Sequence, residues 1–107
     1  MEAHSLAELR AAREASGRLY LEFLRVPAMS AGFYWLPAAG VDPQSPHNED
    51  EIYVILAGRA WITVGKEERS VGPGDVVFVA ATVPHRFHDI GEDLEVVVVF
   101  APAETPA

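Results

Sequence analysis

From Arg18 onward the chain alternates apolar and polar residues with a period of two, and turn residues break the pattern at short intervals. Half-buried antiparallel strands leave this trace, because successive side chains point to opposite faces. The pattern predicts strands over 19–26, 31–36, 49–57, 59–64, 67–71, 75–79, 85–89 and 94–100. The separators are Pro27, Pro37 to Pro46, Gly58, Gly65-Lys66, Gly72-Pro73-Gly74, Val83-Pro84 and Gly91-Glu92-Asp93. Short strands joined by tight turns argue for an all-β antiparallel sandwich or barrel. No βαβ unit is evident.

One helix precedes the strands. Ser5-Leu6-Ala7-Glu8 has the form of a capping box, with Ser5 as N-cap. The helix should run to about Ala15 and end at Gly17, with Leu6 and Leu9 on one thin apolar stripe. Residues 1–18 are thus expected as a helical segment, 19–101 as the barrel, and 102–107 as a loose tail. Met1 to His4 should fray. Two strands break the alternation. Ile52-Tyr53-Val54-Ile55-Leu56 and Val96-Val97-Val98-Val99-Phe100 are apolar on both faces. Something must cover their outer side, and a second subunit explains so much surface better than one thin helix. A homodimer is expected.

Composition narrows the picture. A chain of 107 residues is one domain with one core. With no cysteine there is no disulfide, thiolate ligand or cysteine nucleophile. The first residues, Met1-Glu2-Ala3-His4, lack the basic and apolar blocks of a signal peptide, so the cytoplasm is the expected compartment. The longest apolar run, Val96 to Pro102, is far short of a membrane span. The net charge of −8 offers no basic patch, so nucleic acid is not an expected partner. No nucleophile elbow or Ser-His-Asp arrangement is present.

The candidate chemistry lies in His47, Glu51 and His85. His47 and Glu51 are an even number of residues apart, so a regular strand puts them on one face, with Tyr53 and Ile55. By themselves they also read as loop residues of an acidic turn, Asn48-Glu49-Asp50-Glu51. Two imidazoles and a carboxylate can bind a divalent transition ion and leave positions open. His88 lies an odd three residues from His85 and should point outward. The aromatics Phe33, Tyr34, Trp35, Trp61, Phe78, Phe87 and Phe100 read first as core, and Gly40-Val41-Asp42-Pro43 as a turn at the barrel mouth.

These residues resemble the two motifs of the cupin superfamily, the RmlC-like jelly-roll or double-stranded β-helix barrels. The first motif is a His-any-His pair, three or four residues, a Glu, six residues, then a Gly. His47, Glu51 and Gly58 fit it. The second begins with a Gly and carries its His eleven residues later, as Gly74 and His85 do. The chain departs from the pattern where the first His is Ser45, where Ala80 and Thr82 replace Pro and Gly, and where Asp89 replaces Asn. Gly40 is also one residue closer than usual. The resemblance implies metal ligands at His47, Glu51 and His85. It leaves the fourth place to Gln44, one position off the missing His and a ligand in some cupin-like sugar isomerases, or to water beside Ser45.

The resemblance further implies a divalent transition metal (Fe, Mn, Ni, Cu, Co or Zn) and a small-molecule substrate or ligand. The expected function is a metal-dependent enzyme of dioxygenase or isomerase type. The alternative is a non-catalytic binding or sensor cupin, metal-free in one form.

Overall fold

In the computed structural model of the chain, residues 1–105 are described. One helix, α1 (Leu6–Ser16), leads into six strands: β1 (Tyr20–Val26), β2 (Met29–Leu36), β3 (Asp50–Val64), β4 (Glu67–Val71), β5 (Val76–Val79) and β6 (His85–Ala101). The helix starts as its sequence requires. Ser5 Oγ accepts from the Glu8 backbone N–H at 3.1 Å, and Gly17 closes the other end at φ 68°. Among the described residues, no helix is long and apolar enough to cross a membrane.

All strand pairings are antiparallel, in the order β1-β2-β6-β3-β4, with β5 added to β3. The two long strands correct the eight-strand expectation. Segments 49–57 and 59–64 form one strand, and so do 85–89 and 94–100. Gly58 and Gly91-Glu92-Asp93 are not turns. The β3–β6 register shifts between Ile55 and Trp61, so both strands bend through bulges while staying paired. Gly58 is required there: its φ is 89°, and a Cβ would collide with the Asp93 carbonyl.

The bent strands wrap the sheet around a core of Tyr34, Leu36, Tyr53, Ile55, Ile62, Phe87, Leu94, Val96, Val98 and Phe100. On β2, Tyr34 and Leu36 face this core. Phe33 is buried as well, and Trp35 sits with the Arg13 guanidinium of α1 4.4 Å from its ring centre. The helix therefore covers the outer face of β1 and β2, and Arg10 grips Glu95 of β6. His4 is not free: its ring meets Phe23 edge-on at 5.0 Å.

Trp61 and Phe78 are not core; they are 44% and 60% exposed on the outside. The tail also differs from expectation. Ala103 is buried and donates to the Pro27 carbonyl, Glu104 N–H donates to Ser30 Oγ, and Arg25 donates to the Glu104 carbonyl. Ala103 and Glu104 are thus tied to the β1–β2 hairpin, because their backbone groups find partners there. Pro106 and Ala107 lie outside the described residues.

Candidate metal centre

Strand β3 brings Glu51, Tyr53 and Ile55 to the barrel interior, and all three are buried. The loop before it carries His47, and β6 opens with His85. Two hydrogen bonds fix these pieces together. Thr82 N–H donates to the His47 carbonyl at 2.7 Å, and Ala81 N–H donates to Asp50 at 2.8 Å. One potential ligand atom from each of His47, Glu51 and His85 then lies within 4.8 Å of the others.

The polar atoms are disposed unusually. The Val83 carbonyl can only accept, so the His85 Nδ1 that meets it at 2.9 Å carries a proton. In the neutral ring, Nε2 then presents a lone pair to the interior. It stands 2.7 Å from Glu51 Oε1, with both side chains almost wholly buried. Yet among the described residues Nε2 and both Glu51 oxygens are left without a hydrogen-bond partner. They are close enough to interact but not aligned to bond one another. Burying an unpaired carboxylate is costly. A cation between these atoms would remove that cost, so the donor set fits a divalent transition ion. Without one, the proton does part of the work: burial lowers the His85 pKa, but the Glu51 carboxylate and the Val83 carbonyl outweigh it and raise it overall.

Gln44 belongs to the same constellation. Its Oε1 lies 3.3 Å from His47 Nε2 and accepts from Tyr53 OH at 3.1 Å. Ser45, which occupies the first-His position of the motif, is exposed. Of the two residues that compete for the fourth place, only Gln44 turns to the cluster. Burial, and then the Glu51 charge, push the Tyr53 phenol well up, so it remains a donor. His88 is elsewhere, as expected. It is held by Thr63 at 2.7 Å, Glu68 at 3.1 Å and Asp89 at 2.7 Å.

The sequence reading missed Glu104. Its carboxylate lies 3.1 Å from His47 Nδ1, on the side away from Gln44. Burial, more than any neighbour, raises its pKa, and His47 opposes the shift. Nothing in the Ala-Pro-rich tail signals this contact. A cavity of about 250 Å³ opens here, walled by Leu19, Tyr20, Tyr34, Pro43 and Phe100 and floored by Gln44, His47 and Glu104. Tyr53 and Phe87 are packed edge-on in the core at 4.9 Å. Another cavity of about 250 Å³ reaches His85, and Gln44 lines both. The larger clefts, of about 620 and 450 Å³, contain none of the three cluster residues.

Comparison with known proteins bears on the fold and the family. An uncharacterized protein of Streptomyces coelicolor is 51% identical over 105 residues, spanning 98% of this chain and all of the relative. The dimethylsulfoniopropionate lyase DddQ of Ruegeria pomeroyi is 39% identical over 59 residues, which cover 54% of this chain and only 29% of the lyase. Its crystal structure shares the fold at a TM-score of 0.70 and 23% identity, over 94% of this chain and 66% of that one. The TT1209 protein of Thermus thermophilus superposes at a TM-score of 0.74 with 23% identity, covering 96% of this chain and 99% of its own. The cupin domain family matches residues 33–101, and the chain belongs to that family.

Proposed function

We propose that this cupin is a cytoplasmic, metal-dependent enzyme acting on a small organic molecule, with one divalent transition ion held by His47, Glu51, His85 and Gln44. The observation that carries the reading is the buried Glu51 carboxylate, unpaired and 2.7 Å from the free Nε2 of His85. A bound ion would supply Lewis-acid polarisation of a carbonyl or enolate oxygen, or oxygen activation if it is Fe(II). Isomerase and dioxygenase chemistry both fall within that range. The existence of a lyase among the relatives supports turnover over binding alone.

The chain's own residues have separable tasks. Leu19, Tyr34, Pro43 and Phe100 wall the cavity beside His47 and exclude water from an apolar substrate body. Tyr20 OH is buried there without a partner and can donate to a polar group on the ligand. Glu104, on the cavity floor, is our candidate for moving a proton.

We also propose a homodimer. The outer face of β6, β3 and β5 aligns Val99, Ile52 and Phe78 in one row and Val97, Val54 and Val76 in the next. The helix lies on β1 and β2, and Ile52, Val76 and Phe78 remain 40%, 63% and 60% exposed.

The test is elemental analysis of protein purified without added metal. Stoichiometric metal is expected, lost in His47→Ala and His85→Ala but kept in His88→Ala. Full metal content in the double variant His47→Ala, His85→Ala would refute the site. A wild-type chain that neither carries nor takes up metal would leave the non-catalytic binding cupin as the better reading.

A further inference from the structure

Asp42 is a buried carboxylate outside the ligand set, and it satisfies four donors. Tyr34 OH donates to its Oδ1 at 2.6 Å, and Gln44 N–H donates to the same oxygen at 3.1 Å. Phe87 N–H donates to Oδ2 at 2.9 Å, and the Gln44 side-chain amide donates to it at 3.0 Å. The carboxylate thus joins β2, the loop before β3, and β6, and it does so as an acceptor only.

That last property has a consequence at Gln44. A glutamine amide has a donor end and an acceptor end of nearly equal size, and either could face a metal site. Asp42 can receive only the NH2 end. The Oε1 end is then forced the other way, toward Tyr53 OH and His47 Nε2. Tyr53 takes one lone pair of Oε1. The second faces His47 Nε2, which itself presents a lone pair when Nδ1 carries its proton toward the Glu104 carboxylate, so neither is used up.

We propose that Asp42 is a positioning residue, which locks the Gln44 amide so that its oxygen faces the His47–Glu51–His85 cluster as a fourth, neutral ligand. Its geometry stands without the metal reading, but its consequence for affinity rests on that reading. Asp42→Asn inverts the logic. An Asn amide cannot accept from all four donors, and turning its NH2 toward Gln44 calls for the oxygen of Gln44. The Gln44 NH2 then faces the cluster, where it cannot bind a cation.

Two experiments test this. The first is a double-mutant cycle on Co(II) affinity, read by competition with a chromophoric chelator. Asp42→Asn should weaken binding about 10–100-fold, the range for loss of an outer partner to a ligand. Gln44→Ala should weaken it similarly. Adding Asp42→Asn to Gln44→Ala should then cost less than about threefold, because the ligand it positions is gone. An equal loss in both backgrounds would mean that Asp42 acts on the fold generally, and would overturn the proposal. So would an Asp42→Asn protein that binds Co(II) as tightly as wild type.

The second experiment needs neither variant nor metal. In the metal-free wild type, the Gln44 side-chain NH2 protons should show stronger nuclear Overhauser contacts to the Phe87 amide proton than to the His47 ring. The opposite pattern would overturn the proposal, even if Asp42→Asn fails to fold. A wild-type chain with the expected pattern but no Co(II) binding would end the metal reading and leave the Asp42–Gln44 lock in place.

Discussion

Nε2 of His85 and Oε1 of Glu51 stand 2.7 Å apart inside the barrel, and among the described residues neither has a hydrogen-bond partner. With Nδ1 committed to the Val83 carbonyl, the neutral His85 ring turns a lone pair toward a carboxylate. Two acceptors at that distance repel unless a proton or a cation lies between them.

Glu51→Gln tests this directly. The glutamine amide can donate to the His85 lone pair, which a carboxylate cannot. In chelator-treated protein, at a pH high enough that His85 has lost its second proton, the variant should be more stable than wild type by roughly 1 kcal/mol or more. It should also carry no stoichiometric metal. Denaturant melts and elemental analysis give both readouts, and a variant less stable than metal-free wild type would contradict the unpaired-carboxylate account.

The pH dependence follows from the same pair. His85 is raised from 6.5, so the folded form holds its proton to higher pH than the unfolded chain. Its contribution to metal-free stability is fully present below about 6.5 and is lost as pH rises through the raised folded value. An ion must displace that proton, so metal affinity should show the reverse slope and fall as pH drops, starting above about 6.5. Denaturation with chelator and metal titration, each between about pH 5 and pH 9, should give these opposite trends. Parallel trends would disprove the competition.

Thr82 occupies the place where the second motif ordinarily has Gly, and it sits at φ 66°. A β-branched side chain in the left-handed region is strained. Thr82→Gly should relieve about 1–2 kcal/mol of that strain and lose about 0.5–1 kcal/mol to chain entropy. A small net gain in the denaturation midpoint is expected. The backbone bond from residue 82 to the His47 carbonyl survives the change, so metal affinity should not move. A clear loss of stability would show that the Thr82 side chain has a role of its own.

The sequence carried the His47–Glu51–His85 cluster because period and motif spacing agree on it. His47 and Glu51 share parity, and His85 follows Gly74 at the motif distance. It could not carry the bulges. A glycine at φ 89° that bends a paired strand and a glycine that ends a strand leave the same letter, so Gly58 read as a turn. Nor does a large aromatic side chain by itself say which face it takes: Trp61 and Phe78 read as core, and both stand on the outside. Glu104 was illegible for another reason: its partner, His47, lies far along the chain. Asp42 was illegible because spacing does not say that a turn carboxylate folds inward onto Tyr34, Gln44 and Phe87.

Ser45→His separates register from identity at the first motif position. The sequence alone suggests that restoring the missing histidine strengthens metal binding. Ser45 is exposed, however, and Gln44 holds the inward place through Asp42 and Tyr53. The variant should change metal affinity by less than about threefold, well below the factor of ten that 1.4 kcal/mol represents. A gain of about tenfold or more would show that the 44–46 backbone can rotate residue 45 inward.

The last prediction concerns the outer face of β3. Ile52 pairs with Val99 on one side and Phe78 on the other, so three apolar side chains cross the sheet in one row. A contiguous exposed patch of this kind marks an interface more often than free surface. Phe78 is 60% exposed and absent from the core cluster, so Phe78→Asp should leave the monomer folded. In a dimer, the same change would bury a charge against apolar neighbours. Light scattering at micromolar concentration should give a dimer for wild type and a monomer for Phe78→Asp, with unchanged circular dichroism. Trp61→Asp, exposed but paired with His88 beyond the bulges, should remain dimeric. A monomeric wild-type chain would refute the dimer, and a dimer indifferent to Phe78→Asp would move the interface off this face.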